Sequence, residues 1–198
     1  RHVWLTIQEP LHFPLWGTEI ITAFSPEGGA TVKTNTLVYN EENRPIQARV
    51  VTRVRDRLGN QVGISASEQL VEPGIKSVFS GIIEVSNPSL WSPEHPDLYT
   101  LVKEVFNEDQ LTDREEINFG IRTISMNARQ GFLLNGIPVK LKGGCIHHDN
   151  GPLGSKSFDR AEERKVELLK ASGYNAIRTS HNPPSPALLD ACDRLGMM

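Results

Sequence analysis

The chain has 198 residues, 38% of them hydrophobic and 23% charged, with 21 basic against 24 acidic residues for a formal net charge of -3. That length suits one or two domains with a substantial apolar core, and the apolar content is well above that of a disordered chain. The basic residues form no block, which argues against a nucleic-acid partner or a polybasic membrane surface, and no apolar run approaches the roughly 20 residues needed to span a bilayer. Cys145 and Cys192 are too few for a disulfide framework and lack a CxxC spacing, so both read as buried thiols. No basic segment followed by an apolar one opens the chain, and the compartment is not legible.

The chain begins on a strand-like RHVWLTI. Short runs rich in Val, Ile and Thr follow at Thr31 to Tyr39, Ala48 to Val54, Ser77 to Val85 and Tyr99 to Phe106. In the first the alternation is imperfect: Val32 is followed by polar Thr34 and Thr36, and Lys33 and Asn35 share the register of Leu37 and Tyr39. The second is cleaner, with Ala48, Val50, Thr52 and Val54 facing one way and Arg49 and Arg53 the other. Turn signals at Pro26 to Gly29, Glu41 to Pro45, Leu58 to Asn60 and Glu72 to Gly74 separate these runs. Strands and turns at about ten-residue spacing predict an all-β, immunoglobulin-like antiparallel sandwich of about 100 residues. The proline-rich stretch Asn87 to Pro96 is too aromatic for a linker, and Trp91 within it reads as a packed corner. Trp4 and Trp16 read as core or domain-interface residues.

Beyond residue 123 the pattern becomes βαβα, a partial α/β segment with parallel strands. Val139 to Ile146 and Asn175 to Thr179 are the strands. Asp159 to Ala171 is a helix with Ala161, Val166, Leu168 and Leu169 as its apolar stripe, Asp159 and Glu162 as a capping box, and Gly173 as its stop. Ser185 caps a second helix that starts on Pro186 and closes at Gly196. The final residues, LGMM, follow that helix, and the two ends together read as a piece of something longer.

Polar residues gather at the C-terminal ends of both parallel strands: His147, His148 and Asp149 after the first, Arg178, His181 and Asn182 after the second. Ligands bind at such ends in parallel α/β sheets and barrels. Two other readings stay open. The histidines and the Asp149 to Gly151 segment also suit a hydrogen-bonded turn, and His with Asp can ligate a metal, although no recognised zinc spacing such as HExxH is present. For want of such a spacing no metal site is assigned; no cofactor is expected, because the glycines form neither a P-loop nor a GxGxxG arrangement, and no GxSxG elbow marks a serine nucleophile. Arg178 at a strand end, if buried, needs a carboxylate partner.

LWSPEHPDLYTL (Leu90 to Leu101), FGIRTI (Phe119 to Ile124), GFLLNGIPVKLKGGCIHHDNGPLG (Gly131 to Gly154) and NAIRTSHNPPSPALLDACDRLGMM (Asn175 to Met198), in that order, resemble glycoside hydrolase family 2. The resemblance implies the end of a sugar-binding jelly roll over residues 1–17, an immunoglobulin-like sandwich over 18–122, and over 123–198 the first two βα units of a truncated (β/α)8 catalytic barrel. It implies no cofactor and a β-linked glycoside as substrate, of which a β-D-galactoside is the first choice. β-Glucuronidase or β-mannosidase is the alternative within the family, and a non-catalytic binding or scaffold module the alternative outside it. It places His147, Asp149 and His181 on sugar hydroxyls and Arg178 on the nucleophilic carboxylate. His148 and Asn182 are weaker candidates, since many relatives carry Glu where His148 stands. Retention needs two carboxyls about 5 to 5.5 Å apart. The family's two glutamates lie on later barrel strands, so the 198 residues alone are expected to be inactive, and an unclosed barrel segment is expected to pair with another copy or fold back on the sandwich.

Overall fold

A computed structural model describes residues 2–25 and 28–198. Arg1 at the head of the opening strand-like stretch, and Pro26 and Glu27 of the turn expected at Pro26 to Gly29, lie outside the described residues. The chain divides into two compact units. One comprises Leu5–Ser89 with Tyr99–Ile121. The other comprises Leu90–Leu98 with Arg122–Met198, joined by the N-terminal residues through Trp4.

The first unit is a sandwich of two antiparallel sheets. Strands β1 (Leu11–His12), β2 (Thr18–Phe24), β3 (Gly29–Asn40), β4 (Ile46–Arg55), β5 (Gln61–Val71), β6 (Lys76–Ser86), β7 (Tyr99–Asn107) and β8 (Gln110–Phe119) follow in order. In one sheet β3 is central, with β1 and β2 along one edge and β6 along the other; the second runs β5-β4-β7-β8. None of β2, β5 and β8 is marked in the sequence: β2 places Ile20 and Ile21 side by side without alternation, β5 carries Ile64 and Leu70 on its exposed face, and β8 has few apolar residues. β3 alternates more strictly than its composition suggests: Ala30, Val32, Thr34, Thr36, Val38 and Asn40 all face inward. Thr34 and Thr36 blur the hydrophobic pattern, yet a β-branched side chain fits the pleat whether it ends in a methyl or a hydroxyl. Among the described residues no fully buried side-chain nitrogen or oxygen lacks a hydrogen-bond partner. Asn40 is an instance: its amide donates to the carbonyls of Arg44 and Val71 (both 2.9 Å), and its Oδ1 accepts from the Glu42 amide (2.9 Å). These bonds fasten the Glu41 to Pro45 turn. Leu11, Phe13, Val38, Ile46, Val50 and Phe79 are among the residues that fill the core. The Tyr99 hydroxyl accepts from the Ser89 amide (2.8 Å), tying the start of β7 to the backbone ten residues upstream, as in the tyrosine corner of immunoglobulin-like folds.

Lys103 on β7 is 0% exposed. Its Nζ donates to Thr18 Oγ1 (2.6 Å), pairs with Glu115 on β8 (2.7 Å) and lies 3.9 Å from the centroid of the Phe13 ring. Burial pushes the ammonium below the usual lysine range, against the pull of Glu115 and Asp113. Removing the counter-charge strands a buried ammonium. Glu115→Gln is therefore expected to destabilise the sandwich by about 2 kcal/mol, read as a lower urea midpoint at unchanged slope; an unchanged midpoint would mean the pair does not stabilise the fold.

In the second unit β9 (Ile124–Asn127), β10 (Gly131–Leu134) and β11 (Ile137–Pro138) form a small antiparallel sheet. Its β10–β11 hairpin turns on Asn135 and Gly136, both at positive φ (54° and 77°), the pairing that an Asn-Gly hairpin favours. Then come β12 (Gly143–Ile146), α1 (Asp159–Ala171), β13 (Ala176–Thr179) and α2 (Pro186–Leu195), with β12 and β13 parallel. Residues 139–142, expected to belong to the first parallel strand, are outside it. Gly143 permits the pairing: a Cβ there would lie 2.1 Å from the Ala176 carbonyl oxygen.

Val166, Leu188, Ala191, Cys192 and Met197 make the apolar core of this unit. On α1 the inward stripe is Glu162, Val166 and Leu169, while Leu168, expected inside, is 49% exposed. The expected capping box is corrected too. Phe158 occupies the N-cap, Asp159 is the first helical residue, and Glu162 reaches the Ser157 hydroxyl rather than a backbone amide. The cap of α2 forms as expected, Ser185 Oγ accepting from the Leu188 amide (3.2 Å) and Gly196 adopting the left-handed conformation (φ 75°). A Cβ on Gly196 would approach the Pro93 carbonyl oxygen to 2.4 Å. Trp91 is buried, whereas Trp4 and Trp16 are 80% and 84% exposed and belong to neither core.

Candidate functional site

β12 and β13 run side by side with Cys145 opposite Arg178 and Ile146 opposite Thr179. Their C-terminal ends therefore emerge together. The Ser180 amide donates to the Ile146 carbonyl (3.0 Å), extending the ladder one step past the strands, and Ser180 is 3% exposed. The chain then turns sharply: His181 has φ 59°, a left-handed conformation uncommon for a residue with a Cβ. This turn brings the His181 ring edge-on to His147, with centroids 6.3 Å apart. Backbone strain held by surrounding structure is characteristic of binding and catalytic sites.

Four of the six candidate side chains are thus assembled around two contacts. His147 meets His181; His148 and Asn182 line one small cleft, together with Glu162 and Lys165 of α1. Asp149 is exposed on the loop after β12, with no side-chain partner among the described residues. Arg178 is exposed as well, and its guanidinium Nη1 points to Cys145 Sγ at 3.6 Å. No carboxylate pairs with it among the described residues. The expected partner is not required, because an exposed guanidinium remains hydrated and bears no desolvation penalty. Its remaining donors are free to meet an anion. No group of three or more His, Cys, Asp or Glu residues is arranged to hold a metal ion among the described residues, and no helix there is long and apolar enough to cross a membrane.

The two thiols differ. Cys192 is buried as expected, and burial pushes it up to about 12. Cys145 is exposed, because β12 pairs only with β13 and its residues Gly143 to Cys145 are uncovered. Hydrogen bonds with Arg178 and Ser180 hold it below the usual thiol range. A disulfide reagent at neutral pH is accordingly expected to titrate one thiol rapidly in the native chain and the second only after denaturation. Two equally fast thiols would contradict this placement.

The sequence does not mark Glu162 and Lys165, which line the cleft with the strand-end histidines, or Ser157, which bonds Glu162. A first-turn glutamate on an amphipathic helix gives no signal that it is buried.

Residues 15–122 match the model of glycosyl hydrolases family 2, and residues 126–198 match that family's TIM barrel domain. Over the whole chain 41% of residues are identical to a β-galactosidase of Bacteroides ovatus, of which the chain covers 23%. A solved family 2 glycosyl hydrolase of Bacteroides cellulosilyticus superposes with a TM-score of 0.92 at 46% identity, over 96% of this chain and 26% of that one. A β-glucuronidase of Bacteroides uniformis does so with a TM-score of 0.87 at 31% identity, over 96% of this chain and 24% of that one. The chain thus spans about a quarter of the length of these relatives. A β-sandwich followed by paired parallel strands with a polar cluster at their C-terminal ends, matched along nearly its full length by the two models, makes this chain a member of glycosyl hydrolases family 2.

Proposed function

We propose that these residues form part of a retaining β-glycosidase, with β12-α1 and β13-α2 as the first two βα units of its barrel. On this reading residues 1–17 close a jelly roll, 18–122 are the sandwich and 123–198 open the catalytic barrel. His147, Asp149 and His181 line the sugar subsite, Arg178 supports the nucleophilic carboxylate, and His148 and Asn182 stand beside them. The observation that carries the reading is the meeting of His147 and His181 at neighbouring strand ends, where a parallel barrel concentrates its chemistry. Imidazoles and a carboxylate are suited to sugar hydroxyls, each donating or accepting along a defined direction. Bonds that tighten as the ring flattens toward an oxocarbenium-like state lower the barrier rather than merely hold substrate.

A terminal β-D-galactoside is the substrate of choice, supported by the relative with 41% identity. A β-glucuronide is the second, supported by the Bacteroides uniformis structure. The test uses a polypeptide that continues these residues through a whole barrel, assayed on p-nitrophenyl β-galactoside, β-glucuronide and β-mannoside. Hydrolysis with retention, fastest on the galactoside, is expected. Fastest turnover of the glucuronide would transfer the specificity, and no turnover of any would favour a binding module. The 198 residues alone should show no turnover, and on sedimentation should self-associate through the second unit, where Leu141, Phe158 and Leu189 are exposed.

A further inference from the structure

Glu162 is 1% exposed, and its carboxylate is the hub of a buried polar group. It accepts from the Ser157 hydroxyl and pairs with Lys165 Nζ at 3.0 Å. Burial pushes this acid up, but Ser157 and Lys165, with Asn150 the smallest contributor, outweigh it and hold the carboxyl below the usual carboxylate range. An ionised carboxylate is acceptor-only, so both partners are of the type it needs. Ser157 and Asn150 belong to the loop between β12 and α1. Asn150 directly follows Asp149; its Nδ2 donates to the carbonyl of Lys156, the residue before Ser157 (2.8 Å), while its backbone amide donates to the Gly154 carbonyl (2.8 Å). Ser157 closes the same loop just before α1. Apart from these bonds the loop is held mainly by its own short turns and by helix 3-10 geometry over Gly151–Leu153. Glu162 and Lys165 also line the cleft with His147, His148 and Asn182.

We infer that Glu162 is a positioning residue: through Ser157, and the Asn150 bond to the neighbouring Lys156 carbonyl, it fixes the loop that presents His147 and Asp149 to the sugar, with Lys165 as its counter-charge. The inference rests on the glycosidase reading for its functional consequence, though not for its structural one. A loop of this length without an interior anchor would sample many placements, and an ångström of misplacement at a reacting centre is enough to cost about 10²-fold in rate. Because the anchor is a carboxylate held below its ordinary range, its contribution is complete above the unfolded value of 4.5 and is lost as pH falls through the lower folded value.

Two arms separate this inference from the reading beneath it. On the 198-residue chain, amide hydrogen exchange is compared for wild type, Glu162→Gln and Glu162→Ala. Residues 147–157 are expected to exchange at least about 10-fold faster in the alanine variant, with glutamine partly restoring protection and the sandwich strands unchanged. Unchanged exchange over 147–157 in a folded variant overturns the inference whatever the enzyme does. Should the alanine variant fail to fold, the glutamine variant and Lys165→Met carry the same comparison. In the polypeptide with a whole barrel, Glu162→Ala is expected to lower kcat/KM on the best aryl glycoside by about 10- to 100-fold, mainly through kcat, and glutamine to recover part of the loss. Faster loop exchange with unaltered kcat/KM in an active enzyme overturns the functional half. A wild-type enzyme inactive on every glycoside overturns the glycosidase reading and leaves the exchange result standing.

Discussion

Arg178→Ala, in a polypeptide carrying a whole barrel, is expected to lower kcat/KM by about 10²-fold or more, the scale seen when a charge-stabilising donor is removed from an active site. The expectation follows from where the side chain stands. It lies at the end of β13, exposed, with the Cys145 thiol as its only partner among the described residues. A thiol is a weak acceptor, so most of the five guanidinium donors remain for a carboxylate, which Arg can meet through two parallel bonds. A positive charge beside a nucleophilic carboxylate lowers its pKa. Removing that charge raises it, so the acidic limb of the kcat/KM profile should move to higher pH. Arg178→Lys should recover only part of the loss, because an ammonium keeps the charge without the fork. Activity within about threefold of wild type in the alanine variant would remove Arg178 from the proposed machinery.

Trp91→Ala is expected to have the largest effect on stability, about 3 to 5 kcal/mol, and to fall on the second unit alone. The indole is 1% exposed; its Nε1 donates to the Asp193 carbonyl (2.8 Å), and the Arg122 guanidinium lies 4.4 Å from the ring centroid. Its own carbonyl accepts from Asn135 Nδ2 (3.1 Å), linking it to the β10–β11 turn. Deleting the ring leaves a cavity and strands the Asp193 carbonyl. Trp91→Phe should recover most of the packing but not the hydrogen bond. Native-state hydrogen exchange should show α1, α2 and β13 losing protection while β3, β4 and β7 keep theirs. Equal loss of protection across both units would mean that Trp91 is not specific to the second.

The sandwich was legible in the sequence where apolar and polar residues alternate strongly, as in β4, and where Val and Ile cluster, as in β6. It was illegible where the same pleat is built from polar residues. In Gln61–Val71 the apolar Ile64 and Leu70 are exposed while Ser65, Ser67 and Gln69 lie on the less exposed face, and in Gln110–Phe119 Arg114, Glu116 and Asn118 are exposed opposite a half-buried face that itself carries Asp113 and Glu115, so polarity does not mark the inward side. Thr34 and Thr36 hid the inward face of β3, because composition cannot tell a buried hydroxyl with a partner from an exposed one. The Asn135-Gly136 hairpin, by contrast, is marked locally by the Asn-Gly pair itself. At the candidate site, the histidines and Arg178 could be placed because strand ends in a βαβα pattern are local features. Glu162 could not, since its burial depends on Ser157 arriving from a loop whose course no periodicity describes. The exposure of Cys145 depends likewise on how few strands flank it.

The most direct measurement is a crystal structure of the barrel-containing polypeptide trapped with a 2-deoxy-2-fluoro-β-galactosyl fluoride, which arrests a retaining enzyme at its covalent intermediate. Arg178 should lie about 3 Å from the carboxylate that carries the sugar, with His147, Asp149 and His181 at hydrogen-bonding distance from sugar hydroxyls. A sugar bound elsewhere, or trapped with these four side chains out of hydrogen-bonding reach, would contradict the assignment of the strand ends of β12 and β13 as its subsite.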